Sequence, residues 1–210
     1  MRHAFWWVLA AILALTATPV AGQTSRPAAA APAAPRAAAV QVDDWPGVIA
    51  TFARAMRDGN TAYIRGLLGD APTFKALDPE EAAGPDSLAA RTTGAQVLGA
   101  HAYSFPPMVM AADVAADVKG AAGLSDAVRK SFVPADDDEM KRANATAVQW
   151  VAQALAPGKG TPVALIVLWD DAARDGTATP LFVLVRGVEH PDGTYKINRV
   201  VYGHPERAIQ

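Results

Sequence analysis

Three apolar runs, rich in β-branched residues, crowd the C-terminal part of the chain at residues 163–169, 181–188 and 194–202. Each has the length of a strand and is bounded by Gly, Pro or Asp clusters, a pattern of successive β-strands rather than of helix. They predict an antiparallel meander, against which everything N-terminal to it packs. The first run is apolar at every position, so its strand is central or covered on both faces. His190-Pro191-Asp192-Gly193 has Pro second and Gly fourth, the composition of a tight turn. In the last run Tyr195, Ile197, Arg199 and Val201 alternate with Lys196, Asn198, Val200 and Tyr202, so neither face is wholly apolar.

The segments before the meander read mainly as helices. Asp44 caps a first helix with Pro46 in its first turn, and Trp45, Ile49, Phe52, Ala53 and Met56 share one face. Asp58-Gly59-Asn60 ends it, and Asn60 caps a short second helix whose apolar face is Tyr63, Ile64, Leu67 and Leu68, stopped at Gly69. Residues 73–77 suit a short strand, 78–81 the start of a helical turn and 84–87 a loop. Alternation over 95–105 predicts a strand with Val97, Gly99, His101, Tyr103 and Phe105 on one side. Helices follow over 108–118 and 124–132, and a long one runs to Ala156. Asp136 and Glu139 form a capping box at its start, and Pro157-Gly158 stops it. The fold class is α+β: a helical hairpin and a longer helix on an antiparallel sheet that ends in the meander.

Residues 1–22 have the form of a secretory signal peptide: Arg2, then an apolar core over 4–17, then Val20-Ala21-Gly22 before Gln23. A retained anchor is the alternative, but the apolar run is shorter than the ~20 residues of a spanning helix, and no later run is long enough to span. Residues 23–41 are Ala/Pro-rich, with Pro27, Pro32 and Pro35, and predict a semi-extended tether without a core of its own. Residues 42–210 then form a single domain of ordinary size. The whole chain has 19 Lys plus Arg and 21 Asp plus Glu. Setting aside Arg2, Arg26 and Arg36 leaves 16 against 21, a charge of −5 for the domain. That balance disfavours nucleic acid and anionic lipid as partners. No cysteine is present, which excludes disulfides, thiol catalysis and thiolate metal sites. These features point to export, to the periplasm or the exterior.

No reaction signature stands out. Gly-x-Ser-x-Gly and Ser-x-x-Lys are missing, and Gly158-Lys159-Gly160-Thr161 lacks the strand and upstream glycine of a phosphate loop. The acidic loop at Asp170 and Asp171 resembles a calcium loop, but Ala173 and Phe182 stand where ligands belong. The histidines show no metal-ligand spacing, so neither a metal nor another cofactor is expected. His101, beside Tyr103, fits either a general acid/base or ligand donor, or a hydrogen-bonded structural residue. Asp113 and Asp117, one helical turn apart, fit either a carboxylate pair serving catalysis or a solvent-facing helix edge. Arg186 and Arg199 are cations in apolar strands. On facing positions of adjacent strands they would hold a carboxylate or phosphate; otherwise they snorkel or pair with acids.

The segments Phe52-Ala53-Arg54-Ala55-Met56-Arg57-Asp58-Gly59-Asn60, Tyr63-Ile64-Arg65-Gly66-Leu67-Leu68 and Gly193-Thr194-Tyr195-Lys196-Ile197-Asn198-Arg199-Val200-Val201-Tyr202 resemble the opening helices and last strand of NTF2-like domains. The resemblance implies an α+β cone with a curved sheet around a pocket, in a family holding both isomerases and non-catalytic binding modules. Two functions follow as expectations. One is an exported, non-catalytic protein that binds a small molecule or an envelope protein through His101, Tyr103, Arg186 and Arg199 on an open sheet face. The other is a small lyase, isomerase or hydrolase using His101 with an Asp such as Asp113 and an arginine anchor. A docking module with Trp45, Trp150 or Trp169 in an exposed apolar patch, and a second copy of the chain as partner, stay open.

Overall fold

A computed structural model describes residues 44–169 and 180–204. The signal-like segment, the Ala/Pro-rich stretch and the acidic loop weighed for calcium lie outside the described residues. Five strands form one mixed sheet in the order β1-β5-β4-β3-β2, and six helices precede the last three strands.

Helix α1 (Trp45–Arg57) is capped as its sequence predicts: the Asp44 carboxylate accepts from Gly47 N at 2.5 Å, with Pro46 in the first turn. Asn60 caps α2 (Thr61–Leu67) by accepting from Tyr63 N. That helix is shorter than its apolar pattern implies. Leu68 already belongs to β1 (Leu68–Ala76), and Tyr63 is 45% exposed rather than part of the apolar face. Residues 84–87, expected to be loop, instead open α3 (Pro85–Thr92), because Pro85 sits in the first turn where no donor is needed.

β1 pairs parallel with β5 (Tyr195–Gly203), and its register breaks between Leu68 and Thr73, around Pro72. A proline is tolerated there because β1 is an edge strand. This pairing makes the sheet mixed, where the sequence suggests only antiparallel neighbours. The other edge is β2 (Gln96–Ser104), so His101 lies on an edge strand and not an interior one. A bulge between Val97 and Gly99 puts Val97 and Leu98 on opposite sides from those that strict alternation assigns.

The expected meander is present. β3 (Pro162–Trp169), β4 (Leu181–Glu189) and β5 pair antiparallel in sequence order. Every residue from Val163 to Trp169 is buried, with even members facing one helical layer and odd members the other. The first layer is α1, α2 and α3, whose Val48, Ile49, Phe52, Met56, Ile64 and Leu88 pack on Ile166, Val183, Val185 and Val200. The second is α4 (Met110–Gly120), α5 (Asp126–Phe132) and α6 (Asp137–Leu155), whose Val114, Val118, Phe132, Val151 and Leu155 pack on Leu165, Val167, Phe182 and Leu184. The centre of the sheet is therefore covered on both faces. Trp45 and Trp169 are buried at 6% and 5% exposure and Trp150 is half-buried, so these tryptophans form no exposed docking patch.

Candidate functional site

The side chains singled out in the sequence gather on one face of the sheet. Residues two apart on a strand share a face, as do residues four apart on a helix. That geometry aligns Gly99, His101 and Tyr103 of β2 with Asp113 and Asp117 of α4. His101 Nε2 lies 2.7 Å from Asp117 Oδ2, and the Tyr103 hydroxyl donates to Asp113 Oδ2 at 2.6 Å. The two rings stack at 6.2 Å. Asp113 and Asp117 thus face the strand, and the solvent-facing reading of this helix edge is overturned by the two polar partners that β2 supplies. Gly99 completes the fit: a Cβ there would overlap the Asp117 carboxylate.

The electrostatics follow from these contacts. The hydrogen bond to Asp117 raises the His101 pKa above its ordinary value of 6.5; burial opposes the rise, and the charges of Asp117 and Asp113 add to it. Burial raises the pKa of the Tyr103 phenol first, and the hydrogen bond to Asp113 raises it further. At 27% exposure for His101 and 13% for Asp117, the pair is reachable from solvent at the sheet edge. A histidine held by a carboxylate can act as a general base through its other ring nitrogen.

Arg186 and Arg199 stand directly opposite each other on β4 and β5. They share a cross-strand row, and a face, with Val163 and Tyr103. Arg186 is nevertheless engaged. Its Nη1 donates to Leu155 O at 2.8 Å and Ala156 O at 3.2 Å, and its Nε donates to Asn198 Oδ1 at 3.0 Å. It therefore satisfies the carbonyl end of α6, where a cation is favoured by the helix dipole. Arg199 is half-buried beside it. Among the described residues no cluster of three or more His, Asp or Glu could hold a metal ion.

The described cleft is elsewhere, on the opposite face at one end of the sheet. There β2 stops, β3 begins, β4 ends and β5 begins. It measures about 340 Å³ and is lined by Trp45, Pro46, Ala102, Tyr103, Ser104, Gly160, Pro162, Glu189 and Tyr195. Tyr103 is the only residue it shares with the His101 cluster. Trp45 forms one wall, anchored by Nε1 donating to Val163 O at 3.0 Å and seated over Gly187, where a Cβ would come within 2.6 Å of the indole. Tyr195 tilts against it at a centroid distance of 6.1 Å. Glu189 and Pro46 are exposed at the rim. Burial raises the pKa of Tyr195, and the neighbouring Glu189 charge raises it further. Apart from Tyr103, and Trp45 as a docking candidate, none of these residues is singled out in the sequence. They converge only because four strand ends meet the start of α1.

The fold and these two clusters define an α+β domain with a mixed sheet between two helical layers. No family model, no curated protein and no solved structure matches the chain. The NTF2-like resemblance therefore rests on its quoted segments alone. Among the described residues no helix is long and apolar enough to cross a membrane.

Proposed function

We propose that this chain is an exported, non-catalytic binding protein whose recognition site is the cleft between Trp45, Tyr195 and Glu189. Export rests on the form of residues 1–22. The binding reading is carried by one observation: three aromatic residues, two prolines and a single carboxylate converge on an open cleft of about 340 Å³. Apolar walls with few polar groups are the usual composition of a ligand site, and 340 Å³ lies at the small end of the size range. Because the rim is exposed and shallow, the cleft suits an extended peptide segment better than an enclosed metabolite. Aromatic and proline walls favour a proline-containing segment, and Glu189 favours one carrying a positive charge.

The test uses a decapeptide of alternating alanine and proline ending in arginine, titrated into the full chain. Binding is expected to weaken roughly tenfold or more in Tyr195→Ala and in Glu189→Lys. Equal affinity in wild type and both variants would remove the cleft from the function.

A second reading, a small hydrolase, lyase or isomerase, is favoured by the His101–Asp117 pair at 2.7 Å. Arg186, its expected anion anchor, is occupied by the carbonyls of α6. The pair would serve proton transfer, with Asp117 holding the imidazole.

A further inference from the structure

We infer that the occupant of the cleft is the chain's own Ala/Pro-rich segment, residues 23–41, docked in cis with Arg36 against Glu189. This rests on the binding reading above and names its ligand. Three observations carry it. First, the segment joins the fold at the cleft: the described chain begins at residue 44, and Trp45 and Pro46 are lining residues. Second, the chemistry is complementary. The segment carries Pro27, Pro32 and Pro35, and its only ionisable side chains are Arg26 and Arg36. The cleft offers aromatic and proline walls and one carboxylate, Glu189. Pro32-Ala33-Ala34-Pro35 has the spacing of an extended proline helix, which presents its prolines to an aromatic groove at little entropic cost.

Third, the magnitudes favour a tethered ligand. A cleft with one charge binds a free peptide weakly, whereas a short covalent tether supplies a local concentration on the order of millimolar. The eight Cα–Cα steps from Arg36 to Asp44 reach up to ~28 Å when extended, enough for the segment to turn back over the cleft. Docked in this way, the segment is a built-in competitor that an external proline-rich partner must displace.

The absence of native cysteine makes the test clean. Pro35→Cys and Ser104→Cys are introduced together into the full chain, and the rate of disulfide closure is followed at low protein concentration. Ser104 and Glu189 are both exposed, so these substitutions spare the core. Intramolecular closure is expected, slowed roughly three- to tenfold by Arg36→Glu or by Glu189→Lys and restored when both reversals are combined. Rates that ignore all three charge variants, or disulfides that join two copies, would overturn docking in cis. The alanine-proline-arginine peptide separates the two failures. If it binds in a Glu189-dependent way while closure ignores charge, only the occupant falls; if it too fails to bind, the cleft reading falls with it.

Discussion

Gly99 decides whether His101 and Asp117 can meet. Its missing side chain is the space the Asp117 carboxylate fills, so Gly99→Ala should push the carboxylate away. Overpacking of this kind costs about 1–3 kcal/mol, measurable by urea denaturation, and the His101 pKa should fall toward 6.5 in an NMR titration of the same variant. The pH dependence has a definite sign. His101 has a raised pKa when folded, so its pairing contributes fully below the unfolded value of 6.5 and is lost as pH rises through the folded value. The stability gap between wild type and Asp117→Asn should therefore be largest on the acid side of 6.5, above the carboxylate range, and should shrink at higher pH. A gap that widens with pH would contradict the pairing. Gly187 plays the matching role on the other face. Gly187→Ala forces the Trp45 indole off its seat, which should shift the tryptophan fluorescence and weaken peptide binding together.

The elements were legible in the sequence wherever a local rule sets them. The caps at Asp44, Asn60 and Asp136 form the bonds their residue types favour, and the structure adds a fourth at Ser125. In α6 the Asp136 carboxylate accepts from Glu139 N at 2.7 Å, and Glu139 Oε2 accepts from Ala135 N at 2.6 Å. Replacing Asp136 by Ala should cost about 1 kcal/mol in a thermal melt. At the other end of that helix Ala156 takes the left-handed conformation usual for glycine, and Arg186 donates to the carbonyls of Leu155 and Ala156. Arg186→Met should cost about 1–3 kcal/mol by leaving carbonyls unpaired, with peptide affinity unchanged. This reassigns a residue whose apolar setting suggested an anion site, because what it reaches depends on where α6 ends in space. For the same reason, strand alternation revealed the face shared by Gly99, His101 and Tyr103, and helical spacing the face shared by Asp113 and Asp117. Nothing local showed that those faces would meet. β1 was legible only in part, because its parallel partner lies more than a hundred residues away and Pro72 breaks its pattern.

For the whole molecule, the governing fact is that both faces of the sheet are already taken. β3 and β4 are sealed between α1–α3 and α4–α6, which closes the sheet centre that an open-faced binding protein would use. Recognition is left to the sheet's end and edge, and there the two candidate sites lie on opposite faces. The His101 cluster is consumed pairwise in joining β2 to α4, while the Trp45–Tyr195–Glu189 cleft opens to solvent at the exposed rim of Pro46 and Glu189. The measurement that separates them most directly is a two-dimensional NMR titration of the full chain with the alanine-proline-arginine peptide. The account predicts shifts at the Trp45 indole, Ser104 and Tyr195, with the His101 ring resonances unmoved. Shifts centred on His101 and Asp117, with Tyr195 and the Trp45 indole unchanged, would contradict it.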